Sequence, residues 1–155
     1  MHRRQLLHSL FMGTAAATLG LPLSASAFEV TKSDADWKKL LSPAVYEVLR
    51  HAATEPAGSS PLLNEHRKGV FACAGCNLDL YASETKFESG TGWPSFYKPL
   101  ANAVITRADH TFGMERTEVL CRRCGSHLGH VFDDGPKPTG LRYCMNGLAL
   151  KFRAV

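Results

Sequence analysis

The chain has 155 residues, 45% of them hydrophobic and 21% charged, and its formal net charge is +4. This composition is ordinary for a soluble globular protein, and the length suffices for one domain with a modest core. Two arginines lie in the first 27 residues, so the net charge of the rest falls to about +2 with no long basic run, which argues against nucleic-acid binding.

Residues 1–27 are predicted to be an export signal. Arg3-Arg4-Gln5-Leu6-Leu7 resembles the twin-arginine export motif, residues 10–23 are mildly apolar, and Ala25-Ser26-Ala27 has the small residues of a signal-peptidase site. The alternative is a general secretory signal that happens to carry two arginines. A membrane anchor is not expected, because the apolar stretch is shorter than the ~20 residues that span a bilayer and Pro22 interrupts it. We therefore expect export, to the periplasm by the twin-arginine route.

Residues 28–155 are predicted to form a single domain that begins with two short helices. Ser33-Asp34-Ala35-Asp36 combines an N-capping serine with acids that favour the positive end of a helix dipole. Ser42-Pro43 marks a second start, with serine as the cap and proline in the first helical position. Trp37 is interpreted as a core residue. Residues 54–68 are polar and rich in turn formers, so we expect a loop that wraps over the body.

From Gly69 onward the chain breaks into short runs typical of β-strands. No alternation of strands with helices is visible, which argues against a doubly wound sheet and predicts a mainly β fold. The predicted strands cover residues 70–72, 104–106, 119–120, 131–132 and 148–152.

Four of the five cysteines form two C-x-x-C pairs, Cys73 with Cys76 and Cys121 with Cys124. Four thiolates from two such turns can surround Zn²⁺ tetrahedrally, which leaves no open position and predicts a structural metal. One alternative is a pair of disulfides, which export to an oxidising space would favour. The other is a thioredoxin-like redox pair, but that motif belongs to a βαβ unit and none is visible.

A glycine-rich segment, Ser89-Gly90-Thr91-Gly92-Trp93-Pro94-Ser95-Phe96, lies between the two cysteine pairs. Its glycines allow close approach of the backbone, and the proline then stiffens the chain. Trp93 and Phe96 are candidates for the walls of an apolar pocket. The alternative is that one or both are core aromatics.

His127 and His130 directly follow the second cysteine pair, so a bound metal would fix their positions. A histidine near a reactive thiol can supply a proton to a leaving oxygen at neutral pH. The alternative is that both histidines are structural and bond to backbone carbonyls.

Cys144 is the odd cysteine, and it lies in a predicted strand over residues 141–146. Strand alternation places Arg142, Cys144 and Asn146 on one face. The guanidinium can favour the thiolate, which is the nucleophilic form, and Asn146 can donate a hydrogen bond to a substrate or a water. The alternative is a small buried core cysteine.

Together these segments resemble the methionine-R-sulfoxide reductase B family, over about residues 34–153. The resemblance implies a mainly β fold of the Mss4-like, β-tent type, with two antiparallel sheets around one structural Zn²⁺. It rests on Asp36-Trp37-Lys38-Lys39-Leu40-Leu41, Gly90-Thr91-Gly92-Trp93-Pro94-Ser95-Phe96, both C-x-x-C turns, His127-Leu128-Gly129-His130-Val131-Phe132 and Arg142-Tyr143-Cys144-Met145-Asn146.

The resemblance also implies a reaction, the reduction of methionine-R-sulfoxide in oxidised proteins through a sulfenic acid on a cysteine. It implies these roles: Cys144 as nucleophile, His130 as proton donor, Asn146 and His127 as polar residues around the site, Trp93 as the aromatic that holds the substrate methyl group, and Arg142 as the arginine beside the catalytic strand.

One position departs from the commonest pattern of this family, in which many members carry a resolving cysteine where this chain has Thr91. We therefore expect a cycle with one cysteine, restored by an external thiol such as a thioredoxin-like protein or glutathione, in a monomer. The alternatives from the residues alone are a non-enzymatic zinc module that binds a partner, a thiol peroxidase, or, more weakly, a reductase of the opposite epimer, whose usual Gly-Cys-Phe-Trp motif this sequence lacks.

Overall fold

The computed structural model describes residues 28–155, so the predicted export signal and its cleavage site lie outside the described residues. Two helices come first, α1 (Asp34–Leu40) and α2 (Pro43–His51). Both begin where predicted: the Ser33 side chain caps the first, and Ser42 is the N-cap of the second. Among the described residues, no helix is long and apolar enough to cross a membrane.

Nine strands within residues 28–155 form two sheets in which every pairing is antiparallel. The strands are β1 (Gly69–Cys73), β2 (Asp79–Ala82), β3 (Lys86–Phe87), β4 (Ser95–Phe96), β5 (Val104–Asp109), β6 (Arg116–Cys121), β7 (His127–Phe132), β8 (Arg142–Met145) and β9 (Leu150–Ala154). The smaller sheet has the order β2-β1-β9, and the larger has the order β3-β4-β8-β7-β6-β5. The predicted mainly β fold with two antiparallel sheets is confirmed.

The predicted strands agree with the structure except at the last one. The run predicted over 148–152 divides, because Gly147–Ala149 forms a 3-10 turn and β9 begins only at Leu150. The carboxylate of Glu55 accepts hydrogen bonds from the N–H groups of Gly147 and Leu148. Both donors are therefore unavailable to a strand ladder, which explains the late start of β9.

The core draws on both helices and both sheets, and it contains Trp37 as predicted. Phe96 is also fully buried: its ring stacks on Tyr81 with 4.3 Å between centroids and meets the edge of Phe71. The prediction that Phe96 lines a pocket is therefore wrong. Neighbouring residues of a strand face opposite sides, so Ser95 in β4 lies opposite Cys144 while Phe96 points into the core.

The predicted loop over residues 54–68 packs against the glycine-rich segment that contains Trp93. The Gly58 N–H donates to the Gly92 carbonyl at 2.8 Å. Gly92 has a φ of +92°, and a Cβ there would lie 2.9 Å from the Cβ of Ala57. Glycine is therefore required at position 92 for both its backbone conformation and this close contact.

Candidate active site and metal centre

Each C-x-x-C pair begins at the last residue of a strand, Cys73 in β1 and Cys121 in β6. Both turns close in the same way: the Asn77 N–H donates to the Cys73 carbonyl at 2.9 Å, and the Gly125 N–H donates to the Cys121 carbonyl at 2.8 Å. Asn77 and Gly125 have φ angles of 58° and 67°, a left-handed conformation that asparagine and glycine tolerate best. The local sequence thus forms two matching turns that present their thiols to each other.

The four thiols of these turns fit a zinc ion. Their sulfur atoms all lie within 4.8 Å of one another, with 3.8 Å between Cys73 and Cys124 and 3.5 Å between Cys76 and Cys121. A zinc tetrahedron with Zn–S bonds of about 2.3 Å requires sulfur atoms about 3.8 Å apart, whereas a disulfide requires about 2.05 Å. All four cysteines are free. They form one closed, structural zinc site, as predicted, and the disulfide alternative is excluded.

β7 starts directly beside the metal centre. Ser126 lies next to it, with its Oγ 3.2 Å from the Cys124 sulfur, and β7 begins at His127. At the other end of the described chain, the Val30 N–H donates to the Arg123 carbonyl at 2.9 Å. The second cysteine turn therefore anchors both the strand that carries the two histidines and the segment that leads into α1.

Neighbouring strands bring Cys144 and His130 together. Cys144 in β8 lies directly opposite His130 in β7 and opposite Ser95 in β4. Cys144 and His130 both face a cleft of about 150 Å³. The cleft is lined by Thr54, Trp93, Arg116, His130, Phe132, Cys144 and Asn146.

The His130 ring is held by an ionised carboxylate at the end of β5. Its Nε2 lies 2.7 Å from Asp109 Oδ2, which also accepts from the Arg116 guanidinium at 2.8 Å. The backbone and hydroxyl of Thr111, and then His130 itself, hold the pKa of Asp109 well below its ordinary value. With Asp109 ionised, His130 Nε2 is the donor in this pair, so the Nδ1 edge of the ring is the one not engaged by Asp109.

A chain of hydroxyl groups leads to the Cys144 thiol. The Thr91 hydroxyl lies 3.8 Å from the Cys144 sulfur and 2.8 Å from the Ser89 hydroxyl, which is 2.7 Å from the Ser95 hydroxyl. The nearest polar neighbour on this side of the thiol is thus an alcohol and not a second thiol.

Arg142 lies on β8, and its guanidinium forms an ion pair with Asp134. Its Nε and one terminal nitrogen each donate to the Asp134 carboxylate at 2.8 Å, and its guanidinium carbon lies 4.4 Å from the ring centroid of Phe132. The bond to Asp134 raises the pKa of Arg142. Arg142 therefore supports the wall that Phe132 gives to the cleft, and it is not itself among the residues that line the cleft.

Asn146 and Trp93 line the cleft, and both are bonded to the main chain of Glu55. The Glu55 N–H donates to Asn146 Oδ1 at 3.0 Å, and the Glu55 carbonyl accepts from Trp93 Nε1 at 3.1 Å. Asn146 Nδ2 donates to the Leu128 carbonyl at 3.3 Å. The protein thus occupies Oδ1 and one N–H of Asn146, which leaves the second N–H of Nδ2 for the donor role expected from the sequence.

His127 lies behind the cleft wall and is not among its lining residues. It is 4% exposed, and its Nδ1 lies 2.6 Å from Glu118 Oε1. Burial lowers the pKa of His127 below its ordinary value, despite the opposing effect of Glu118. His127 therefore bonds to a carboxylate, whereas the structural alternative for this residue had a backbone carbonyl as its partner.

Sequence reasoning missed Glu55, Asp109 and Arg116. Asp109 carried one local signal, since an aspartate that accepts from the N–H two residues later forms a common turn, here with Thr111. Glu55 carried none, because its partners are distant in sequence. Arg116 carried none, because its contact with Asp109 depends on the register between β5 and β6.

Comparison with known proteins identifies the family. The SelR domain model matches residues 41–154. Peptide methionine sulfoxide reductase MsrB of Leptospira interrogans is 54% identical over 127 residues, which cover 81% of this chain and 97% of that protein. The proteins of the same name from Methanosarcina barkeri and Thiobacillus denitrificans are 53% and 55% identical, over 80% and 78% of this chain and 88% and 92% of their own. The chain therefore belongs to the methionine-R-sulfoxide reductase B family, as the sequence motifs predicted.

Proposed function

We propose that this enzyme, a peptide-methionine (R)-S-oxide reductase, acts through Cys144 as nucleophile and His130 as proton donor. The observation that carries the proposal is the pairing of these two residues directly across β7 and β8, at a cleft that Trp93 also lines. A thiol, a titratable ring and an aromatic wall at one cleft are what sulfoxide reduction requires.

The substrate sulfoxide binds with its methyl group against Trp93 and its oxygen toward His130. The sulfur of the sulfoxide then faces Cys144. The opposite epimer, placed with the same methyl group and oxygen, would turn its remaining substituent toward the thiol. This three-point arrangement of Trp93, His130 and Cys144 accepts only one epimer, and membership of the family indicates that this is the R epimer.

In the chemical step, the Cys144 thiolate attacks the sulfoxide sulfur while His130 protonates the oxygen, because an unprotonated oxide leaves poorly. The attack forms a bond between the Cys144 sulfur and the substrate sulfur. The protonated oxygen then moves to the Cys144 sulfur, as the sulfur–oxygen bond of the substrate and the new sulfur–sulfur bond both break. The substrate sulfur is reduced to the thioether of methionine, and Cys144 is oxidised by two electrons to the sulfenic acid. The hydrogen bond from His130 Nε2 to Asp109 orients the ring in this step, so the proton given to the oxygen leaves from Nδ1.

An external thiol regenerates the enzyme. Four of the five cysteines belong to the zinc site, and the neighbour of Cys144 on the hydroxyl chain is Thr91. A reductant thiol attacks the sulfenic sulfur and releases water, and a second thiol then displaces Cys144 from the mixed disulfide. A thioredoxin-like protein or glutathione supplies these thiols.

We further propose that the protein works as a monomer on oxidised proteins outside the cytoplasm. The support for export is the predicted signal at residues 1–27, with Arg3-Arg4 as its twin-arginine motif. Replacement of Arg3-Arg4 by Lys-Lys should abolish export, and unchanged export would contradict this route.

The deciding experiment measures turnover of both epimers of a peptidyl methionine sulfoxide, with dithiothreitol as reductant, for the wild type and Cys144→Ser. We expect consumption of the R epimer only, and its loss in the serine variant at unchanged zinc content. Turnover by Cys144→Ser would contradict the proposed nucleophile.

Peroxide-oxidised, zinc-loaded wild type should show no intramolecular disulfide of Cys144 by mass spectrometry, and such a disulfide would contradict the single-cysteine cycle.

A further inference from the structure

We propose that Glu55 is a positioning residue for the reaction: it holds Trp93 and Asn146 at the cleft while its carboxylate fixes its own place in the fold. This inference deepens the function proposed above and rests on it.

The main chain of Glu55 joins two walls of the cleft. Its N–H donates to Asn146 at 3.0 Å and its carbonyl accepts from the Trp93 indole at 3.1 Å. The preceding residue, Thr54, itself lines the cleft. Any displacement of this short segment therefore moves the indole and the amide of these two site residues together.

The carboxylate of Glu55 fixes the segment from the other side. Its two oxygens accept from the N–H groups of Gly147 and Leu148, directly after Asn146 in the chain. The residue is only 4% exposed. Hydrogen bonds from N–H groups to a buried charged acceptor are stronger than those to a neutral one, and loss of one leaves a buried donor unpaired.

The packing around these hydrogen bonds leaves no space for a side chain at Gly147. A Cβ on Gly147 would lie 1.8 Å from the Ser60 hydroxyl and 3.2 Å from Glu55 Oε1. On the far side, the Gly58 N–H bonds to the Gly92 carbonyl, one residue before Trp93. The loop that contains Glu55 thus lies between the Trp93 segment and the turn after Asn146, and the Glu55 side chain accepts from both N–H groups of that turn.

In this role Glu55 controls the geometry of substrate binding and not the reactivity of the Cys144 thiol. Cys144 is held by its own strand pairings to β4 and β7, which do not involve Glu55. A shift of Trp93 and Asn146 should therefore impair methionine sulfoxide turnover while the thiol still reacts with a small reagent that needs no aromatic wall.

The test compares Glu55→Gln and Glu55→Ala with the wild type, and with Glu47→Gln as a control at an exposed glutamate of α2. Glutamine keeps the shape but loses one acceptor, and alanine loses both. We expect kcat/KM for the R-sulfoxide peptide to fall about tenfold in Glu55→Gln and about a hundredfold in Glu55→Ala, because misplacement by about 1 Å can have such an effect. Alkylation of Cys144 by iodoacetamide and zinc content should stay within about twofold.

A second readout follows the two tryptophans by NMR. The indole N–H signal of Trp93 should shift in both Glu55 variants, whereas that of Trp37, buried in the core, should not. Unchanged turnover in Glu55→Gln would overturn the proposal. A loss of zinc, or a fall in Cys144 alkylation equal to the fall in turnover, would also overturn it, because either result would mean that Glu55 stabilises the whole fold. Should the wild type reduce neither epimer, the proposed function fails, and the Trp93 signal still decides whether Glu55 positions that ring.

Discussion

The metal centre and the cleft are built on opposite principles. The zinc site takes its ligands from two short turns with the same internal hydrogen bond, and it is closed. The cleft takes single residues from Thr54 to Asn146, and it is open to substrate. Local turn chemistry thus secures the fold, while distant pairings held by that fold place the reacting groups.

The largest expected effect comes from a variant that tests whether the cleft depends on the metal centre. Cys121→Ser should lose zinc and cooperative thermal unfolding, because a structural zinc contributes about 10–16 kcal/mol against a total stability of about 5–15 kcal/mol. Cys144→Ser is the matched control, with zinc content and melting temperature close to those of the wild type. Zinc content and circular dichroism melts report both. A folded, active Cys121→Ser protein would show that the cleft does not need the metal.

The second prediction separates chemistry from fold within the cleft. His130→Gln removes the proton donor, so R-sulfoxide turnover should fall by about 10² to 10⁴-fold, with zinc content and melting temperature nearly unchanged. His110→Gln, at an exposed histidine, is the control. Equal turnover in His130→Gln and the wild type would remove His130 from the reaction.

The smallest expected effect lies between the two regions, at His127. Burial lowers the pKa of His127 from an ordinary value of 6.5. Below pH 6.5 the unfolded state binds more protons at this group than the folded state, so its contribution to stability is present above 6.5 and is lost as the pH falls through the lower folded value. Urea unfolding between about pH 5.5 and 7.5 should therefore show a free energy of unfolding that rises with pH. His127→Gln should flatten that rise, and an identical slope in the variant would contradict it.

The sequence predicts what is local and misses what depends on register. The zinc ligands follow from spacing, because each C-x-x-C forms its own turn. The facing of Cys144 and His130 depends on how β7 pairs with β8, which spacing alone does not give. Phe96 was misplaced because two aromatics after a glycine-rich run do not reveal which one faces the core. Glu55 was missed because its partners, Trp93, Asn146 and the turn after it, lie far along the chain.

Both metal-binding cysteine pairs, which begin at the ends of β1 and β6, precede Cys144 in the chain. A ribosome makes Cys73 and Cys76 first, then Cys121 and Cys124, and Cys144 last. All four metal ligands are therefore translated before the reactive thiol. In a nascent chain that binds zinc at that stage, Cys144 would find no free thiol partner among the other four cysteines.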